Sequence, residues 1–382
     1  MKKRLLFALS FSSLLTIGLT LAVLNHSVNS FALATNNTVY YHYQAISPTG
    51  TRHGSKEFWM NCSTLSPVLE EPDSVNIFEG TSFDTLDAFF DLEPSDVRYI
   101  PPTSSSPIIE DSIATYGIYP QTVVENSDLI SNLDSNAIVQ TNGWYKYKGE
   151  YYSKINAKIF NTDSSLYKFE SGTTIVNGKS YWFKCEPIKW KVLSNQNGTA
   201  FLLSQKIIDN RKFHDNYSER TIDGKTIQPN NYKYSSLRSW LNGFFYDSAF
   251  IFNKSYIQTT SVNNAASTTH SNSNAFVCDD TEDNVFLPSY RDYRNTSYGF
   301  PNTTTYDTRR CSSASDYTRA SKNNYNISGT YASYGNYWTR SPSPDNKTYN
   351  HGIDGTGILQ QNNFLVAYES IGVRPAITIS IN

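Results

Sequence analysis

Tyr234-Ser-Ser-Leu-Arg-Ser-Trp-Leu-Asn-Gly-Phe-Phe-Tyr-Asp-Ser-Ala-Phe250 is the stretch on which the reading of this chain turns. Its apolar residues Leu237, Trp240, Leu241, Phe244 and Phe245 fall at i, i+3, i+4, i+7 and i+8, the stripe of an amphipathic helix with one face on a core. Ser235 or Ser236 can cap its start, because a serine hydroxyl accepts a hydrogen bond from a free first-turn N–H.

Strand signals flank the helix on both sides. Upstream, residues 113–122 read as a strand ending at Pro120, and 142–152 as a hairpin turning at Lys148-Gly149. A second hairpin over 175–184 turns at Asn177-Gly178, followed by 188–193 with Ile188, Trp190 and Val192 on one face and by a buried run at 200–204. Downstream, Asp283 opens the strand Val285-Phe286-Leu287, and Ile377, Ile379 and Ile381 share one face of a last strand expected to pair with 113–119. Strand signals on both sides of a central helix predict an α+β domain.

Toward the front, Met1-Lys-Lys-Arg4, an apolar run over 5–24 and Ala32-Leu33-Ala34 form the pattern of a secretory signal peptide over 1–34, cleaved after Ala34. Kept instead, the same run is long enough to anchor the chain, which would be its one contact with a membrane. Residues 35–99 read as a small β-rich module with strands at 39–43 and 56–62 and an acid-rich stretch over 70–96 that holds no Lys or Arg. The Pro/Ser segment 100–111 is a linker, and 112–382 is the main domain. Charged residues are 17% and the net charge is −2, too little cation to favour a nucleic-acid partner.

Four cysteines, Cys62, Cys185, Cys278 and Cys311, stand too far apart for a C-x-x-C metal or redox motif. They allow three complete pairings; a Cys278–Cys311 disulfide is favoured because both lie in the loop-rich part of one domain. The loops over 263–278 and 291–336 are rich in Asn, Ser, Thr and Tyr, with Tyr290, Tyr293, Tyr298, Tyr306, Tyr317, Tyr325, Tyr331 and Tyr334 in or beside the second. Rings beside amides suit sugar or protein recognition, since an apolar face and a hydrogen-bonding edge are offered together.

Trp338, Arg340 and Arg374 are the candidate ligand-binding residues, because a guanidinium forks two hydrogen bonds to a carboxylate or to sugar oxygens. Beside a strand-like run, an arginine also serves to tie loop carbonyls. Asp279, Asp280, Glu282 and Asp283 read as a solvated turn rather than a metal site. No nucleophile elbow, H-E-x-x-H, P-loop or G-x-G-x-x-G occurs, so no catalytic residue, metal or cofactor is assigned.

One ordered set of motifs carries a family resemblance: Tyr116-Gly-Ile-Tyr-Pro-Gln-Thr122, Ile188-Lys-Trp-Lys-Val-Leu193, Leu237-Arg-Ser-Trp-Leu-Asn242, Asp283-Asn-Val-Phe-Leu-Pro-Ser289, Tyr317-Thr-Arg-Ala320, Tyr337-Trp-Thr-Arg-Ser-Pro342 and Gly372-Val-Arg-Pro-Ala-Ile377. Together they resemble an uncharacterised bacterial surface-protein domain of unknown function (6273) over about residues 112–381. More distantly the order is similar to the C-type-lectin-like fold of sulfatase-modifying enzymes and of phage tail or adhesin tips, and this resemblance implies a small mixed sheet, one or two helices, long loops and termini paired together. The expectation is an exported, non-catalytic module at the cell surface or secreted, taking an extracellular glycan or protein through its long loops. An extracellular thiol- or metal-dependent oxidase is the alternative that fold analogy offers, and a purely structural surface component is the other.

Overall fold

The computed structural model describes residues 38–46, 52–61 and 68–69 by their backbone, and residues 107–162 and 166–381, the side chains of 360–363 excepted. The signal-peptide segment, the acid-rich stretch, Cys62 and most of the linker lie outside these residues. The chain divides into two compact units, Met1–Thr103 and Ser104–Asn382. In the first, β1 (Thr38–Ile46), β2 (Arg52–Asn61) and β3 (Val68–Leu69) form an antiparallel sheet in that order, with a register shift at Gln44/Ala45.

The second unit is β-rich α+β. Its larger sheet is antiparallel and turns on one long strand, β9 (Ser180–Gln196). Against β9 pair β5 (Ile113–Val123), β8 (Glu150–Asn156) and β10 (Thr199–Ser204). The last strand, β21 (Ala376–Ser380), pairs with β10 and with Ile257–Gln258, not with β5 as its sequence suggested. Strand β10 already occupies the position beside β9, so the terminal strand is one place further out. Ile377 and Ile379 nevertheless share a buried face, as their alternation requires. A smaller mixed sheet runs in the order Asp209–Asn210, Gly372–Val373, β17 (Tyr337–Pro342), Tyr349–Ile353, Leu359–Leu365, with a parallel contact at Tyr337↔Gly372.

The predicted helix contributes to the main core of this unit. Ser235 is its cap, accepting from the Arg238 N–H at 3.0 Å. Only Ser236–Trp240 and Tyr246–Ala249 are α-helical; Leu241–Phe245 is a π turn, in which the Tyr246 N–H reaches back to Leu241 O. The wider turn absorbs one extra residue, so the buried stripe is Leu237, Leu241, Phe245, Ala249 at an unbroken spacing of four. Phe244, placed on the core face by the helical period, is turned outward and 39% exposed.

The helix packs on β5 through aromatic contacts, Tyr119 on Phe245 at 5.2 Å and Tyr116 on Phe250 at 5.1 Å. Gly117 lies between those two tyrosines with φ +70°, and a Cβ there would stand 2.7 Å from the Phe250 ring and 2.9 Å from Ala249 O. The glycine of the Tyr-Gly-Ile-Tyr motif is therefore the point where strand and helix end touch. On the polar side, Arg238 Nε donates to Asp283 Oδ1 at 2.7 Å, while Asn242 donates to Val285 O and accepts from Asn284 N. One helix turn so clamps the Asp283-Asn-Val segment, and Asp283 is buried and paired rather than solvated. The regular strand there is Thr281–Asp283, with Phe286 bridging Ala376 alone.

His214 lies under the start of the helix, 3% exposed, with its Nδ1 3.2 Å from Ser236 Oγ. Burial, and after it Arg220, lowers its pKa, with Asp215 acting the other way. The folded chain keeps the ring neutral, whereas the unfolded chain takes up a proton near pH 6.5. This contribution to stability is full above that pH and is lost as pH falls toward the lower folded pKa. Between about pH 7.5 and 5.5 the thermal midpoint should fall, and His214→Gln should flatten that part of the profile; equal slopes for the two proteins would remove His214 from the account.

Candidate functional site

An open groove of about 560 Å³ lies where residues 166–172 face residues 313–334. The first wall is a short hairpin: Lys168 bridges Thr174, Phe169 N donates to Thr173 O, and Gly172 turns the chain at φ +92°. Alternation along it buries Tyr167 and Phe169 and leaves Lys168 and Glu170 on the open side. The second wall begins with one helical turn, Asp316–Arg319, capped by the Ser315 hydroxyl. Asp316 ties the two walls, accepting from Glu170 N at 2.7 Å and Val123 N at 3.2 Å, and its burial raises its pKa. Beyond it, Tyr325 bridges Gly335 and Asn326 pairs with Ser333 and Tyr334 through the backbone, bringing Tyr334 to the rim.

Arg319 and Tyr325 form the floor, 4% and 5% exposed. The guanidinium lies over the Tyr325 ring at 5.3 Å, donating through Nε to Ala314 O at 2.9 Å and through Nη1 to Lys168 O at 3.1 Å. The Tyr325 hydroxyl accepts from Lys168 N and donates to Lys168 O, and burial pushes its pKa up to about 12. Tyr167 meets Tyr325 edge-on at 5.2 Å within a second, smaller core. The floor thus places a cation over a buried aromatic ring.

Trp338, Arg340 and Arg374 lie elsewhere and beneath the surface, at most 7% exposed. Trp338 donates to Arg211 O at 2.8 Å. Arg340 holds Leu287 O, Asn263 O and Asp292, while Arg374 holds Ser204 O and stacks over Tyr337. Each donates to at least one backbone carbonyl of another element, the tying role open to an arginine beside a strand, although Arg340 Nε is buried without a hydrogen-bond partner among the described residues.

Cys278 and Cys311 do not form the expected disulfide: both thiols are free, as is that of Cys185. Cys278 takes backbone N–H groups of Lys233 and Tyr232, whereas Cys311 packs against Asp307 O and Gly355 O, so separate segments hold the two sulfurs. Burial raises both thiol pKa values, Cys311 to about 11, which keeps them protonated at neutral pH. The paired thiols on which an oxidase reading depends are therefore not formed. Among the described residues no group of three His, Cys, Asp or Glu is placed to hold a metal ion.

The Tyr-rich loop is packed rather than uniformly solvated. Tyr290 and Tyr293 are fully buried, Tyr306 is 65% exposed, and Tyr331 and Tyr334 are half-buried. What folds it is Arg310, a fully buried guanidinium that sequence reading passed over. It donates to Gly357 O at 2.7 Å, Thr303 O at 2.9 Å, Tyr293 O and Pro301 O at 3.4 Å, and Thr305 O. Of the groove residues, Tyr325, Tyr334 and the Tyr317-Thr-Arg-Ala320 run were visible in sequence, but Lys168 and Glu170 carry no local signal.

A β-rich α+β domain with a groove at the foot of its Tyr/Asn-rich loop is thus the class that fold and site define. Residues 197–381 match the family model of a domain of unknown function (DUF6273). No curated protein and no solved structure matches the chain. The match begins at the β9–β10 turn, so the loop wall of the groove lies inside it and the 166–172 wall outside.

Proposed function

We propose that this protein is an exported, non-catalytic binding module that takes a glycan in the groove, on a scaffold of C-type-lectin-like type. One observation carries the reading: the groove combines a buried arginine–tyrosine floor, a half-buried tyrosine at its rim and amide and hydroxyl groups from Asn326, Ser313 and Ser333. A sugar presents an apolar ring face with hydroxyls at its edge, which this mixture matches. The signal pattern over 1–34 supports export, with a mature chain beginning at Thr35.

A glycan array probed with the secreted protein should give a set of hits, and Tyr334→Ala should weaken the best of them about tenfold through loss of one stacking ring. The variant should keep the wild-type melting temperature, because Tyr334 is only half-buried. A blank array, or hits indifferent to Tyr334, would remove the groove from the reading.

A further inference from the structure

We infer that the ligand of the groove carries a carboxylate, as an acidic sugar does, and that Arg319 and Lys168 receive it. The inference rests on the glycan-binding reading above and narrows it. A guanidinium has five N–H donors. Two nitrogens of Arg319 are committed, to Ala314 O and Lys168 O, whereas Nη2 meets only Glu170 Oε1, at 3.7 Å, beyond hydrogen-bonding distance. Glu170 is held away by Lys206, whose Nζ lies 2.8 Å from both of its oxygens. A 4%-exposed guanidinium thus lines an open groove with its outer nitrogen unsatisfied by the described residues.

A carboxylate is the best geometric partner for such a donor, because its two oxygens match the guanidinium fork. The charges at the site agree. Lys168 and Arg319 line the groove as cations against one acid, Glu170, which Lys206 neutralises; Asp316, behind the wall, is occupied with two backbone N–H groups. A neutral sugar hydroxyl would satisfy the donor but would draw nothing from the two cations that line the groove.

The test uses the full secreted chain and paired probes: uronate-bearing oligosaccharides and their methyl esters, first on the array and then titrated calorimetrically. The acid should bind about tenfold more tightly than the ester, a difference that shrinks as salt is raised. Lys168→Ala should weaken the acid alone. Glu170→Gln should strengthen the acid without changing the ester, a gain that a purely structural role for this residue would not produce. Arg319→Lys should abolish the preference for acid over ester; because Arg319 also holds two carbonyls, its melting temperature is measured alongside, and the Lys168 and Glu170 variants decide if it unfolds. Equal binding of acid and ester, or binding of neutral glycans alone, would overturn the carboxylate and leave the glycan reading standing. No binding to any glycan would overturn both.

Discussion

Arg310→Ala is expected to cost about 3–5 kcal/mol, the largest loss from any single polar side chain in the domain. The guanidinium gathers four carbonyls of the loop, those of Tyr293, Pro301, Thr303 and Thr305, and one from the far side, Gly357. Gly357 comes this close because it lacks a Cβ, which would stand 2.1 Å from Asp307 O. Removing the cation leaves five carbonyls short of a donor, those of Gly357, Tyr293 and Pro301 in buried hydrogen bonds, and a cavity the size of the side chain. Arg310→Lys should recover little, since an ammonium has three donors on one atom and cannot span the fan of carbonyls. Urea unfolding gives the magnitude, and limited proteolysis should show faster cleavage within 291–310. A loss under about 1 kcal/mol would mean that the loop holds itself without the clasp.

Leu241→Ala should cost about 2–5 kcal/mol, because the residue is fully buried at the first position of the π turn and truncation leaves a cavity in the main core. Phe244→Ala is the informative partner. A regular α-helix would put both residues on the core face, and both losses would then be large. With the π turn, Phe244 points to solvent and stacks only loosely on Trp240, at 6.5 Å, so its loss should stay below about 1 kcal/mol. Comparable losses at the two positions would contradict the π geometry.

Those two residues show how far local pattern carries. Leu241 was legible because a helix that meets a core repeats its apolar residues near every fourth position, and the period survives whatever the partner is. Phe244 was misplaced for the same reason: a single inserted residue in the turn shifts one side chain without disturbing the average period. Arg310 was invisible, being one basic residue in a polar loop, and its partners are carbonyls that no sequence pattern marks. The Cys278–Cys311 pairing failed on a similar ground, since membership of one loop-rich region says nothing about where the loops are pinned. Lys168 and Glu170 meet Arg319 only because Asp316 fastens the two walls across about 150 residues of chain.

By itself the sequence determined the strand runs at 113–122, 188–193 and 200–204 and the capped helix, the α+β class, the ordered motifs of a domain of unknown function and the absence of a familiar catalytic motif, because all of these are set by neighbours a few residues apart. The tertiary structure alone decided that Trp338, Arg340 and Arg374 tie the interior, that the cysteines stay apart and that the groove opens between 166–172 and 313–334. Each of these depends on which distant carbonyl or carboxylate a buried donor finds. Local periodicity records which face of an element is apolar, and only packing selects the partner across the core.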